Sequence, residues 1–212
     1  MTTFAEELKA STRKAHESAE GNQFQKELFN GNLPVEEYAE YLKQLYLIHS
    51  RLEEHLEKTR ATDSRLAPVV HDIQFQRQFL RSDLGHLKQP CTGIVPLPTT
   101  VDFVARLDRA AAVTPASLLG AHYVLLGSKH GGKFIAQVLK KQYQFTDAGC
   151  LYFDPYGGEF RQHWLAFVDG MNSAGLTREE QSAVIELAGH TFDAVGNVGL
   201  EIRSKYAGIK TP

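Results

Sequence analysis

Cysteine is nearly missing from this chain: Cys91 and Cys150 are the only two in 212 residues. Two cysteines so far apart exclude a disulfide framework and any paired-cysteine metal motif, and they fit a reducing compartment. Both are expected to be small apolar residues. A strong charge of either sign is missing too. Lys and Arg number 23 against 25 Asp and Glu, a formal net charge of -2, which argues against a general nucleic-acid binder. No uninterrupted apolar run reaches membrane-spanning length. The opening Met1-Thr2-Thr3-Phe4-Ala5-Glu6-Glu7 has no basic region followed by an apolar run, so no signal peptide is visible and a cytoplasmic location is expected. Phosphate loops, nucleophile elbows, strand alternation, internal repeats and low-complexity segments are all absent from the pattern.

What is present is helical periodicity. Hydrophobic residues at 42% and charged residues at 23% are ordinary for a soluble globular chain, and the length suits one domain, 1–212, with a tail over about 207–212. The spacing predicts a helix from about Thr3 to Glu20, stopped by Gly21-Asn22, and a short one from Gln23 to Asn30, stopped by Gly31-Asn32. Pro34 opens a long helix to about Thr59, on which Tyr38, Leu42, Leu45, Leu52 and Leu56 repeat. Further helices are expected over Ala67–Leu84, from a Thr99 or Thr100 cap to Ala111, from Thr114-Pro115 through Tyr143, over Glu159–Asn172 and over Thr177–Tyr206. Thr177-Arg178-Glu179-Glu180 reads as a capping box. Gln89–Pro98 and Asp147–Gly158 read as loops. The fold class is all-α, a single-domain multi-helix bundle.

One stretch of that pattern is locally wrong for a helix. Leu125-Leu126-Gly127-Ser128-Lys129-His130-Gly131-Gly132-Lys133 places three glycines inside a helical segment, forfeiting about 3 kcal/mol of propensity. Gly127 and Gly131 stand one turn apart and share a face of bare backbone, beside Gly132. Such a face suits either a tight helix–helix crossing or a flat ligand lying on the helix, and the helix can bend there.

His16 is the second anchor. Glu20 lies one turn on, placed to hydrogen-bond one ring nitrogen and leave the other for a metal. Thr12 and Arg13 lie one turn before it and Lys9 two turns before, cations able to meet ligand carboxylates. A surface histidine beside an ordinary solvated helix face is the bland reading of the same residues. Glu53-Glu54-His55 lacks the spacing of a di-iron bundle site, and Glu186 with His190 reads as an ion pair.

Together, Leu8-Lys9-x-x-Thr12-Arg13-x-x-His16-x-x-x-Glu20 and Tyr123-Val124-Leu125-Leu126-Gly127-Ser128-x-x-Gly131-Gly132 resemble the proximal and distal helices of heme oxygenase. Phe24, Leu28, Gly31, Tyr38, Leu42, Leu45, Tyr46, Leu52 and Glu53 extend the resemblance along nearly the whole chain. It implies heme b, both substrate and cofactor, held between a proximal helix and a kinked Gly-rich distal helix. His16 becomes the axial iron ligand with Glu20 behind it. Lys9 and Arg13 lie near the propionates, Tyr123, Gly127, Gly131 and Gly132 line the distal side, and Phe192 packs on the heme edge. Gly127, Ser128 and Gly131 carry the distal chemistry. Many members have Asp where this chain has Ser128, and Ser offers no carboxylate. The Gly-Ser pair is similar to the bacterial branch often linked to bacteriophytochromes, although Leu126 replaces that branch's Glu. Near Trp164 and Val168 the usual basic propionate contacts are absent, with Arg161, Lys129, Lys133 or Lys205 as substitutes.

The activity the resemblance implies is oxidative opening of heme to biliverdin with release of carbon monoxide and ferrous iron, using O2. Electrons then come from a ferredoxin or a flavin-dependent reductase, attracted by Lys9, Arg13, Lys129 and Lys133, and a bacteriophytochrome is a candidate biliverdin acceptor. No nucleic acid or membrane partner is expected. A heme carrier or sensor that binds without ring opening is the alternative, since fold and binding do not guarantee chemistry.

Overall fold

The computed structural model describes residues 2–208. Among these the chain forms nine α-helices: α1 (Phe4–Gly21), α2 (Gln23–Asn30), α3 (Val35–Thr62), α4 (Arg77–His86), α5 (Pro98–Val113), α6 (Leu118–Gly127), α7 (Lys129–Tyr143), α8 (Phe160–Ser173) and α9 (Arg178–Ala207). Of the expected tail, Ala207 still belongs to α9 and residues 209–212 lie outside the described ones.

Local chemistry explains most of the boundaries. Thr3 caps α1, its hydroxyl accepting from the Glu6 N–H while the Glu6 carboxylate accepts from the Thr3 N–H, and Thr177 with Glu180 does the same for α9. Gly31 ends α2 at φ +70, a conformation side chains resist. Elsewhere the structure departs from the sequence expectation. The helix expected over Ala67–Leu84 begins only at Arg77, after turns and a 3-10 turn at Asp72–Gln74. Pro68 breaks the earlier stretch. The true start of α4 is set by Glu53 of α3, whose Oε1 accepts from the Gln76 and Arg77 N–H groups at 2.6 and 2.9 Å. Neither Thr99 nor Thr100 caps α5; Pro98 stands at its first position instead. Thr114 likewise makes no side-chain cap, and a 3-10 turn at Pro115–Ser117 precedes α6.

α9 is the element against which the site is built. α1 and α6 both pack along it. Gly120 of α6 sits where a Cβ would strike the Val184 carbonyl oxygen and come within 2.9 Å of the Ala188 nitrogen, so the two backbones touch. Nearer the C-terminal end of α9, Gly199 admits the ring of Phe24, which would lie 2.6 Å from a Cβ there. Leu8, Phe24, Leu28, Leu42, Leu118, Leu119, Val184 and Val198 join the buried apolar core, each large side chain contributing about 2 kcal/mol on burial. α8 lies across the ends of this group: Asn172 Oδ1 accepts from the Ala5 N–H at the start of α1, and Trp164 reaches the end of α6.

Candidate functional site

His16 rides on the edge of the α1 stripe that faces α9. Ala5, Leu8 and Thr12 are buried, Ala15 and Ala19 partly so, and His16 follows at the margin with its side chain 49% exposed. One face of its ring meets the edge of Phe192 with centroids 5.1 Å apart. Glu20 Oε1 lies 3.1 Å from Nε2, so in this ring orientation Nδ1 is the free nitrogen, and a half-turn of the ring exchanges the two. Phe192 stands one turn beyond Ala188 on the same stripe of α9. The end of α1 and the start of α6 are therefore seated on successive turns of one helix.

The expected single glycine-bearing helix is two. α6 ends at Gly127, α7 begins at Lys129, and Ser128 joins them at φ -56, ψ -18. Two side chains take carbonyls at the break: the Ser128 hydroxyl donates to Leu125 O at 2.8 Å, and His130 Nδ1–H donates to Gly127 O at 2.9 Å. Side chains competing for the helical acceptors are a sufficient cause of the bend.

The three glycines do different work. A Cβ on Gly132 would fall on the Phe153 carbonyl oxygen, so Gly132 is a close backbone crossing with the loop before α8. Gly127 carries the six-membered ring of Trp164, 3.2 and 3.3 Å from a Cβ placed there. Gly131 is open; the nearest atoms to such a Cβ belong to Phe29, at 3.9 Å. Around Gly127 and Gly131 stand Phe29 stacked on Phe134 at 6.2 Å, and Trp164 between His130 at 4.9 Å and Tyr123 at 5.2 Å. Burial raises the Tyr123 phenol above its ordinary value. Trp164 thus covers the backbone at Gly127 and leaves that at Gly131 open, while His16 stands on α1, which like α6 packs along α9.

The basic residues separate. Lys9 and Arg13 are exposed, Arg13 loosely paired with Glu17 at 3.9 Å. Lys133 is exposed, while Lys205 lies 3.4 Å from Glu40. Lys129 is 5% exposed, so it leaves the surface cations and cannot meet an acidic partner or a propionate at the rim. Its Nζ, without a hydrogen-bond partner, lies 3.1 Å from the centroid of the Tyr152 ring. Glu186 and His190 pair at 3.5 Å, as the spacing suggests.

Beneath Lys129 runs a polar line that the sequence reading misses. The Tyr152 hydroxyl donates to His49 Nε2 at 3.1 Å, and His49 Nδ1 faces Glu53 Oε1 at 3.4 Å. Burial presses the His49 imidazole below its ordinary value, against the pull of Glu53. Burial pushes the Glu53 carboxyl up, but His49 and the N–H groups of Arg77 and Gln76 prevail and hold it down. Asp83 of α4 accepts from the Gly149, Leu151 and Tyr152 N–H groups and so seats Tyr152 under the kink. A signal existed: Lys129 falls on the stripe Leu125, Leu126, Gly132, Ile135, Leu139, which is otherwise buried and uncharged.

Two shallow clefts, one lined by Arg106, Arg109 and His190, the other by His55, Lys58 and Asp108, border neither His16 nor the kink glycines. Among the described residues no group of three or more His, Cys, Asp or Glu could hold a metal ion, and no helix is long and apolar enough to cross a membrane.

The family model described as heme oxygenase matches residues 2–200. Heme oxygenase 2 of Synechocystis sp. is 27% identical over 201 residues, 91% of this chain and 80% of that protein. Heme oxygenase 1 of Gallus gallus is 27% identical over 198 residues, 89% of this chain and 66% of its own length. The crystal structure of heme oxygenase-2 from Synechocystis sp. in complex with heme and NO superposes with a TM-score of 0.89 at 24% identity, covering 98% of this chain and 88% of that one.

Proposed function

The chain belongs to the heme oxygenase family, and we propose that it opens heme to biliverdin with release of carbon monoxide and ferrous iron. The observation that carries this reading is the pairing of a half-exposed histidine of α1, backed by Glu20 and braced by Phe192, with the glycine-bearing end of α6, two helices that both pack along α9. Heme b, when bound, is both the substrate and the source of the iron that activates O2.

His16 would hold the heme iron through a ring nitrogen. Glu20 holds a ring nitrogen by a hydrogen bond, which fixes the imidazole's orientation and raises its basicity. Phe192, its ring 5.1 Å from that of His16, limits the turning of the imidazole and would border the macrocycle. Gly131 would admit the macrocycle because it presents no side chain, Gly127 would do so once Trp164 moves off it, and Tyr123 borders Trp164. Gly132 shapes the distal helix by letting the loop at Phe153 close against it. Lys9 and Arg13 project from the exposed side of α1, where they can meet propionates. Ser128, its hydroxyl proton given to Leu125 O, offers its oxygen at the kink as an acceptor that would hold an ordered water, a neutral substitute for a carboxylate.

Electrons come from outside the chain, from a ferredoxin or a flavin-dependent reductase, and the exposed cations Lys9, Arg13 and Lys133 offer an acidic donor its docking charge. A cytoplasmic bacterial setting, with a bacteriophytochrome as biliverdin acceptor, suits this reading.

The test is an absorption time course: protein loaded with one equivalent of hemin, then given ascorbate or a reductase in air with catalase present. Loss of the Soret band with growth of a broad red biliverdin band is expected. A stable heme spectrum would instead favour a carrier or sensor, and failure to form a Soret band would remove the heme reading.

A further inference from the structure

The buried line behind the kink has no part in the chemistry above. From the Tyr152 phenol it passes to His49, to Glu53, and to the partly exposed Arg77, 3.7 Å from Glu53. It thus runs from beneath the kink to the solvent side of α4. Lys129 sits on top of it. An amine without a partner in a core is costly, and methionine would fill the same volume, so packing does not account for Lys129.

The groups around the amine pull its charge both ways. Burial disfavours the cation and holds the amine well below its ordinary value, and the N-terminal end of α7 acts in the same sense. The Asp83 carboxylate of α4 favours the cation. His49 and Glu53 of α3 lie beyond Tyr152 of the loop before α8, with His122 of α6 near both. A cation over the face of a phenol draws on its π electrons and makes the hydroxyl a stronger donor; a neutral amine does so much less.

We propose that Lys129 is a positioning residue for the ring-opening reaction: seated on the Tyr152 ring directly after Ser128 in the chain, its amine sets the strength of the hydrogen bond by which the Tyr152 hydroxyl holds His49 beneath the kink. The inference rests on the heme oxygenase reading. It puts an adjustable charge next to Ser128, where the chain brings no carboxylate.

The experiment compares the wild type with Lys129→Met and Lys129→Arg in two measurements. The first is the pH titration of lysine 13Cε signals by NMR in the chain without hemin. The second is the single-turnover rate of ring opening against pH after hemin loading, the Soret band confirming folded, heme-bound protein. A lysine signal missing from Lys129→Met is expected to titrate well below 10.5, and the wild-type rate to fall as pH rises through that titration. Lys129→Met is expected to lose this limb and to run roughly tenfold slower at its low-pH end. Lys129→Arg, whose charge does not titrate, is expected to lose the limb yet keep a rate within about threefold of the wild type. A signal titrating at the ordinary lysine value, or a Lys129→Met variant that retains the wild-type limb, would overturn this inference and leave the family reaction standing. A wild type that binds hemin and never opens it would overturn the reading beneath it.

Discussion

The Phe153 carbonyl oxygen occupies the place where a Cβ of Gly132 would stand, whereas nothing comes nearer than 3.9 Å to the corresponding place on Gly131. Adjacent glycines in one helix thus answer to different neighbours, one to the protein's own backbone and one to open space beside Phe29.

Gly132→Ala is therefore expected to cost roughly 3 kcal/mol, since a backbone cannot yield as a side-chain tip can. Gly131→Ala is expected to stay within about 1 kcal/mol of the wild type, helped by alanine's better helix propensity, while lowering hemin affinity at least about tenfold by adding a methyl to the bare face. Thermal melting and hemin titration separate the two. Equal losses of stability would show that Gly131 is packed as Gly132 is.

His16→Ala is expected to remove the axial histidine signature from the heme spectrum while melting within about 1 kcal/mol of the wild type, because the ring is half exposed. Glu20→Gln keeps the ligand and loses the carboxylate behind it. A weaker hemin complex, by roughly 10- to 100-fold, with the histidine signature intact is the expected result. Unchanged spectra in His16→Ala would refute the ligand assignment.

Glu53→Ala is expected to cost about 3 kcal/mol or more in denaturant unfolding. It strips the Gln76 and Arg77 N–H groups of their acceptor and leaves His49 without its buried partner. A loss below about 1 kcal/mol would show that α4 starts at Arg77 for some other reason.

Acid stability turns on His122. Burial pushes its imidazole from 6.5 down to about 4, and its Nε2–H donates to Gln74 at 3.0 Å. Between those two values the unfolded chain takes up a proton that the folded chain refuses, so stability falls as pH drops from 6.5 toward 4. The loss amounts to about 3 kcal/mol when complete. His49, also pressed down by burial, acts in the same direction. Urea midpoints at pH 7 and pH 4.5 check this: His122→Gln is expected to show a clearly smaller drop than the wild type, and an equal drop would assign the acid sensitivity elsewhere.

What could be read from the sequence was what neighbouring residues decide. Thr3 with Glu6, Thr177 with Glu180, and Gly31 carry their signals within one turn, and the structure uses all of them. The start of α4 could not be read, because its cap is Glu53, far earlier in the chain. The division of the glycine helix escaped for a different reason. The apolar period runs through it unbroken, and the bend comes from the Ser128 and His130 side chains turning back onto carbonyls. On the candidate site, His16 and Glu20 come together as their spacing implies and Phe192 joins them as the family resemblance implies, while Trp164, Phe29 and the line from Tyr152 to Glu53 are joined only by the folded chain. Lys129 looked like a surface cation because lysine nearly always is one.

Two helices of the candidate site, α1 and α6, hang on a single rod. Val184 and Ala188 bear the start of α6, and Phe192, one turn further, bears His16. Their spacing is thus counted in residues of one helix rather than set by the loops between distant segments. Loops around the bundle can lengthen or shorten with little effect on the gap the histidine faces. One residue added to α9 between Ala188 and Phe192 would swing Phe192 by about 100° and turn the histidine's seat away, leaving a chain with every site residue and no site.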